Sequence, residues 1–499
     1  MKAPLIVGLV AMLTSACSPS VKSYAIPDAL SDRRAHDTDL PPPVVKAATS
    51  EGLPAERPGP LDRKRRPLPK PAEARLSNGI RVVMVESHDF PSVSVGFMLD
   101  RGVTAAPPGV AKLYADALFG ASKDFDSRDA YAYFAYMGAK PNSWAGAETI
   151  GFDVTTLSLL IGGPISRVGS MFTTPLFESD DLKRTVLELR ADERGRAEAP
   201  GMMASAVLDT MMFSSVHPYG HKIERLTDER IKALSRDDLV QFRDRHLSAD
   251  HVSIVVVGDF NPRVILPKLD RAVSKLPRTS GNFAIPPVPP PPTSARILVI
   301  DRKGASQSNI ALGFSSVRRG DPAQTSLALL QSVLGRGLSG RLNIKTRGEH
   351  GSTYGVHVRN RALRAGGMFE IDAAVDTPQT VETLRGLLGE LRRMSAEPLE
   401  PEEFHRARAL AVDNLLDVDG SDSVFSAYQT IAADGLPLDY YQTKAAELAK
   451  LKPADIQAIS ERILKTESVQ IAIVGDASKI AAPLRELGIG EVVVRDTPP

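Results

Sequence analysis

Val252-Ser-Ile-Val-Val-Val-Gly-Asp259 returns near the far end of the chain as Val469-Gln-Ile-Ala-Ile-Val-Gly-Asp476. Both are short apolar runs rich in β-branched residues and closed by glycine, the pattern of a buried strand. The helix-forming stretch before each run keeps step with it. Leu234-Ser-Arg-Asp-Asp-Leu239 matches Leu451-Lys-Pro-Ala-Asp-Ile456, and the separation is 217 residues at each matched point (451 − 234, 469 − 252, 475 − 258). Asp238 then corresponds to Asp455, Arg245 to Arg462 and Leu247 to Leu464, and the same offset takes Gly96-Phe97 to Gly313-Phe314. A chance recurrence of Val-Gly-Asp would not hold register with a helix before it and a strand at the other end of the half. Two copies mean a duplicated domain rather than a solenoid.

Working outward, Asn78-Gly79 is a turn signal before a strand at Ile80–Val85. Further strands are predicted at Ser92–Leu99 and Ile150–Leu157. Helices are predicted at Ser127–Met137, Asp180–Arg196, Met202–Met212 and Arg236–His246. Strands mixed with helices in this way predict an α+β fold. Residues 280–294, with Pro286-Pro287 and Pro289-Pro-Pro-Pro292, read as a stiff joint between the halves. The expected domains are therefore 72–279 and 295–490.

The 499 residues are enough for more than one domain, and 42% hydrophobic with 24% charged content is ordinary for globular chains. A net charge of +1 argues against nucleic acid as a partner. Cys17 is the sole cysteine, so no intramolecular disulfide can form. It follows Lys2, the apolar run Leu5–Leu13 and the small residues Thr14-Ser15-Ala16, the layout of a secretory signal rather than a membrane span. The cysteine at the cut resembles a bacterial lipoprotein signal, although Leu13 stands four residues before it rather than three. Plain cleavage near Ala16 with release into the periplasm is the alternative. The expectation is a signal peptide at 1–16, a lipidated Cys17 and a Pro-rich, charged tether to residue 71. That places the protein on the periplasmic side of a bacterial envelope, with Ser18 hinting at the outer membrane.

The segment with most to say about chemistry is Gly109-Val-Ala-Lys-Leu-Tyr-Ala-Asp-Ala-Leu-Phe119, a helix opened by Pro107-Pro108. Leu113, Ala117 and Leu118 share one face, while Lys112 and Asp116 are neighbours four apart. The segment resembles the zinc helix of the pitrilysin/insulinase metallopeptidases, His-x-x-Glu-His before Leu-Phe. On that resemblance Lys112 and Asp116 stand at the two histidine positions and Ala115 at the glutamate. A zinc peptidase needs ligands with free lone pairs and a nearby base. An ammonium has no acceptor and a methyl has no proton to move.

The resemblance covers roughly residues 74–490. It also draws on His217-Pro-Tyr-Gly220, the two Val-Gly-Asp strands, and Leu334-Gly-Arg-Gly-Leu-Ser-Gly-Arg-Leu342 with Arg347 and Tyr354 after it. It implies two homologous domains like those of mitochondrial processing peptidase, each with helices packed on a mainly antiparallel sheet. It implies Arg347 and Tyr354 as substrate-binding residues facing the zinc across a cleft; a guanidinium fork can hold a carbonyl, and a phenol can donate to an oxyanion. The family's third ligand is a glutamate, for which this chain offers Glu188, Asp192 and Glu193 without a unique alignment.

The resulting expectation is a subunit without catalytic residues or metal of its own, acting on peptides beside a zinc-bearing homologue. A structural or peptide-binding scaffold is one alternative. A peptidase with a metal site rebuilt around Asp116 and an acidic residue of 188–193 is another. Other tempting groups are weak. His217 and His221 are separated by Pro218 and Gly220, so they do not share a helical face. Glu402, Glu403 and His405 fall opposite or beside the apolar stripe Phe404, Ala407, Ala411 and Leu415, where side chains ordinarily face solvent.

Overall fold

The computed structural model describes residues 69–220, 226–279, 281, 283–348, 353–416 and 421–496. Cys17 and the tether to residue 68 lie outside the described residues. Among the described residues twelve strands form two six-stranded sheets. The first contains β1 (Ala72–Arg75), β2 (Arg81–Glu86), β3 (Ser92–Leu99), β4 (Lys140–Ala145), β5 (Ile150–Leu157) and β6 (Val252–Gly258), in the order β1-β2-β6-β3-β5-β4. The second contains β7 (Arg296–Asp301), β8 (Gln307–Ser316), β9 (Thr353–Ala362), β10 (Gly367–Asp376), β11 (Gln470–Gly475) and β12 (Glu491–Asp496), in the order β12-β7-β11-β8-β10-β9. Each sheet is mixed. Parallel pairing is confined to β2·β6 in the first and to β11·β7 and β12·β7 in the second. The second half runs beyond residue 490 because Glu491–Asp496 adds a strand alongside β7.

The duplication visible in the sequence is a duplication of pairing. Gly96 lies opposite Asp153 and Gly313 opposite Glu370; Asn142 lies opposite Asp153 and Arg359 opposite Glu370. All these pairs are related by the 217-residue offset. Both junctions of β11 depart from it, for Arg81 faces Ser253 while Leu298 faces Ala472 and not Gln470. Gly96 faces Val255, whose counterpart is Ala472, yet Gly313 faces Gln470. A slip of two residues leaves every side chain on its original face, because the strand period is two.

One face of each sheet is covered by helices of its own half. In the first, Val82, Val95, Phe97, Phe152 and Ile254 pack with the helices Val110–Ala117, Gly162–Thr173 and Pro262–Val273. In the second, Ile297, Leu312, Phe369 and Ile473 pack with Gln324–Gly335, Thr380–Ala396 and Pro453–Ile463. The other face is covered by a helix from the opposite half. Helix Pro200–Phe213 lays Met203, Val207 and Leu208 on Leu298, Ala311 and Ala472 of the second sheet. Helix Ser421–Ala433 lays Val424, Phe425 and Tyr428 on Val83, Val85, Val255 and Val257 of the first. Residues 65–499 accordingly form one compact unit. Among the described residues no helix is long and apolar enough to cross a membrane.

Candidate functional site

Helix Val110–Ala117 is buried around nearly its whole girth rather than on one face. Tyr114 packs between Phe177 and Phe242, with ring centroids 5.5 and 4.8 Å away. Ala115 is fully buried, so the position that would carry a base is a methyl inside the core. Lys112 and Asp116 are the two helix residues that remain partly exposed. Lys112 Nζ donates to Asp116 Oδ2 at 2.5 Å and stands 3.8 Å from Asp192 Oδ2 on helix Ser179–Glu198. Burial pushes the Asp116 carboxyl above the usual carboxylate range, and the hydrogen bond and charge of Lys112 draw it back.

These residues do not fit a zinc ion. Zinc takes lone pairs from deprotonated ligands. Here the central group is itself a cation with three donors, and the carboxylates nearest to it are turned toward its charge. Among the described residues no group of three or more His, Cys, Asp or Glu is placed to hold a metal ion. Of the three candidate acidic residues on the neighbouring helix, Glu188 is exposed, Asp192 leans on Lys112, and Glu193 turns inward beside Arg196 at 3.3 Å.

Lys112, Glu193 and Arg196 open onto a cavity of about 770 Å³ between the halves. Ala145 at the end of edge strand β4, with Gly146 and Ala147 of the turn after it, lines one side, and Met202, Met203 and Val207 of helix Pro200–Phe213 line another. The C-terminal half supplies a wall of charged side chains from β9 and β10. Arg359 Nη2 lies 3.1 Å from Glu370 Oε1 and 2.8 Å from Asp372 Oδ1. Arg361 Nη1 lies 2.5 Å from Asp209 Oδ1 and 3.4 Å from Glu370 Oε2. Ser205 Oγ donates to Glu370 Oε1 at 2.7 Å. Glu370 is 1% exposed and engaged by two guanidiniums and a hydroxyl, so its oxygens are committed to the wall.

Sequence reasoning missed this wall. A signal was present: Arg359 and Arg361, and Glu370 and Asp372, are charged residues two apart along their strands, so each pair shares one face. It also missed the clasp beside the cavity. Glu148, in the turn after β4, accepts from Arg364 N at 2.8 Å and from Tyr219 Oη, and stands 2.9 Å from Arg319 Nη1. Arg319 Nη1 reaches Asp434 Oδ1 at 2.6 Å. Burial and the Glu148 carboxylate hold the Tyr219 phenol well above its usual range. The turns of two duplicated hairpins are thereby tied to each other.

The other sequence candidates fall as follows. The backbone of Arg347 belongs to a π-helical turn, Ile344–Gly348, and that of Tyr354 to the start of β9; their side chains lie outside the described residues. His221 also lies outside them. His217 is buried, accepts from Tyr219 N at 3.1 Å through Nδ1 and meets Pro286 O at 3.0 Å through Nε2. Both nitrogens are committed, Nδ1 within its own turn and Nε2 to the linker. Arg341 of the Gly-rich segment forks onto Glu403 at 2.6 and 2.7 Å and reaches Glu390 at 3.3 Å. Glu403 is therefore inward, a correction to its expected solvent-facing place, whereas Glu402 and His405 are exposed.

Residues 233–410 match the family model described as Peptidase M16 inactive domain. The chain is 21% identical to an uncharacterized zinc protease of Bacillus subtilis, over 63% of this chain and 77% of that one. It is 20% identical to another from Streptomyces coelicolor, over 78% and 86%. In structure it resembles a peptidase M16 inactive domain from Pseudomonas fluorescens, with TM-score 0.75 and 21% identity over 81% of this chain and 97% of that one. It also resembles a protease from Helicobacter pylori, with TM-score 0.73 and 16% identity over 82% and 100%. The two structural likenesses show the fold. The family-model match begins after helix Val110–Ala117 and so leaves residues 112–116 outside it. Residues 233–410 thus carry a match to the Peptidase M16 inactive domain, and the chain as a whole is similar to proteins of the pitrilysin/insulinase (M16) type, consistent with a degenerate member of that family; its sequence nowhere contains His-x-x-Glu-His.

Proposed function

We propose that this protein is a non-catalytic subunit of a bacterial envelope peptidase, pairing with a zinc-bearing homologue that supplies the metal and the hydrolytic water. The observation that carries the reading is the Lys112–Asp116 contact at the mouth of a peptide-sized cavity. The cleft has kept its walls, while its reaction centre holds an ammonium and a buried methyl. This chain would bind one stretch of an extended peptide, and Arg347 and Tyr354 would add a carbonyl clamp and an oxyanion donor at the partner's zinc. A lipid on Cys17 would hold the pair at the membrane, with residues 18–71 as the tether.

The test is reconstitution with the zinc-bearing homologue. Arg347→Ala is expected to lower turnover of the pair by about tenfold or more, the worth of one charge-assisted hydrogen bond to the substrate carbonyl, with association unchanged. Equal turnover with and without Arg347 contradicts the substrate role.

A further inference from the structure

The two buried carboxylates that face the crossing helices are treated differently by the fold. Asp153 of β5 and Glu370 of β10 are counterparts at the 217-residue offset, and both lie under a helix from the opposite half. Glu370 is met by Arg359, Arg361 and Ser205. Asp153, 8% exposed, is met by two neutral amides: Asn142 Nδ2 from β4 and Gln429 Nε2 from helix Ser421–Ala433, each 3.3 Å from Oδ2. Asn142 stands where the second sheet has Arg359. The first sheet thus buries the same acid without its cation.

The ionisable groups around it are otherwise committed or remote. On that sheet face Arg81 is paired with Glu73 and donates to Leu436 O, and Lys140 is exposed. From β3 the neighbouring positions are Ser94, whose hydroxyl meets Thr155, and Gly96. On the helix Asp422 is exposed and Tyr428 donates to Pro69 O at 2.9 Å. An ionised carboxylate with amides alone is poorly compensated in a buried seam, whereas the protonated acid is not.

We propose that Asp153 makes the seam between the N-terminal sheet and the C-terminal helix Ser421–Ala433 a proton-controlled joint, seated when the carboxyl is protonated and loosened when it ionises. The second seam, between helix Pro200–Phe213 and the C-terminal sheet, has its acid neutralised by arginine and stays seated. Burial raises the Asp153 carboxyl from its ordinary value to about 6, the two amides opposing the shift. A raised acid favours the seated form at low pH, and that preference fades as pH rises toward the seated value.

The experiment is amide hydrogen exchange on the whole chain at pH 5 and pH 8, corrected for intrinsic rates. Protection in 421–433 is expected to fall about tenfold between the two pH values, with no such change in 200–213. Asp153→Asn should remove the difference by keeping the site neutral. Asn142→Arg should remove it by restoring the missing cation. A wild-type profile that is flat, a parallel change in both helices, or a difference that survives in both variants would each overturn the proposal.

Discussion

Gly96 and Gly313 occupy the same place in their two sheets, and each takes a helix from the opposite half against its bare Cα. A Cβ on Gly96 would lie 2.9 Å from Phe425 Cζ and 3.2 Å from Gln429 Nε2. A Cβ on Gly313 would lie 2.9 Å from Leu208 Cδ1 and 3.1 Å from Met212 Cγ. Phe425 follows Leu208 by 217 residues, and Gln429 follows Met212 by the same number. The halves are exchanged partners: each closes the other's sheet, and the cavity is what the exchange leaves between them.

Gly313→Val forces Leu208 and Met212 off a packed sheet. Overpacking of this kind costs about 1–3 kcal/mol. The urea midpoint of the whole chain should drop, because neither half retains its covered sheet alone. An unchanged midpoint would show that the helix can shift freely.

Arg341 and Glu403 form a two-pronged pair with side chains 14% and 16% exposed, beside Glu390. Arg341→Ala leaves the inward Glu403 carboxylate without its cation, while Glu390 keeps Arg393 at 3.2 Å, a loss of about 3 kcal/mol. Glu402→Ala, one residue away but exposed, should stay within about 0.5 kcal/mol. Denaturant titration of the two variants separates the roles, and equal losses would contradict this geometry.

His246 gives the fold an acid limit. Its ring lies between Phe242 at 4.9 Å and Phe283 at 5.9 Å, and burial with the nearby Arg101 pushes it down to about 4. The folded chain therefore binds this proton less readily than the unfolded one. Stability is fully present above the ordinary histidine value and is lost as pH falls from there toward 4. His246→Phe should flatten that stretch of the thermal stability profile; an unaltered slope between pH 6.5 and 4 would count against it.

Lys112→Met leaves Asp116 half buried without its cation. The folded carboxyl then rises further above its unfolded value, so the deficit appears as pH increases through that range. Melting temperature should fall more at pH 8 than at pH 4. An equal fall at both would mean that the ammonium contributes packing and not charge.

Much of this fold was legible because its signals are local. The β3 and β5 boundaries, Ser92–Leu99 and Ile150–Leu157, coincide with the expected strands, and helix Arg236–His246 matches end to end. The duplication was legible because indels between the halves are few enough for one offset to persist. The exchange of helices was not, since nothing local in Met203, Leu208, Phe425 or Tyr428 says which sheet they cover. The chemistry at Lys112, Ala115 and Asp116 could be weighed from residue types alone. The charged wall of Arg359, Arg361, Glu370 and Asp372 needed the β9·β10 register, which pairing decides across the sheet. The near-complete burial of helix Val110–Ala117 likewise depends on aromatic neighbours far away in the chain.

The proposed function rests on Lys112, an ammonium paired with Asp116, standing where the resemblance places a metal ligand. The most direct measurement is metal content of the purified chain, taken together with peptide hydrolysis with and without the zinc-bearing homologue. The expected result is no stoichiometric zinc and no turnover by this chain alone, with turnover on mixing that depends on it. Near-stoichiometric zinc together with hydrolysis by the chain alone would contradict it.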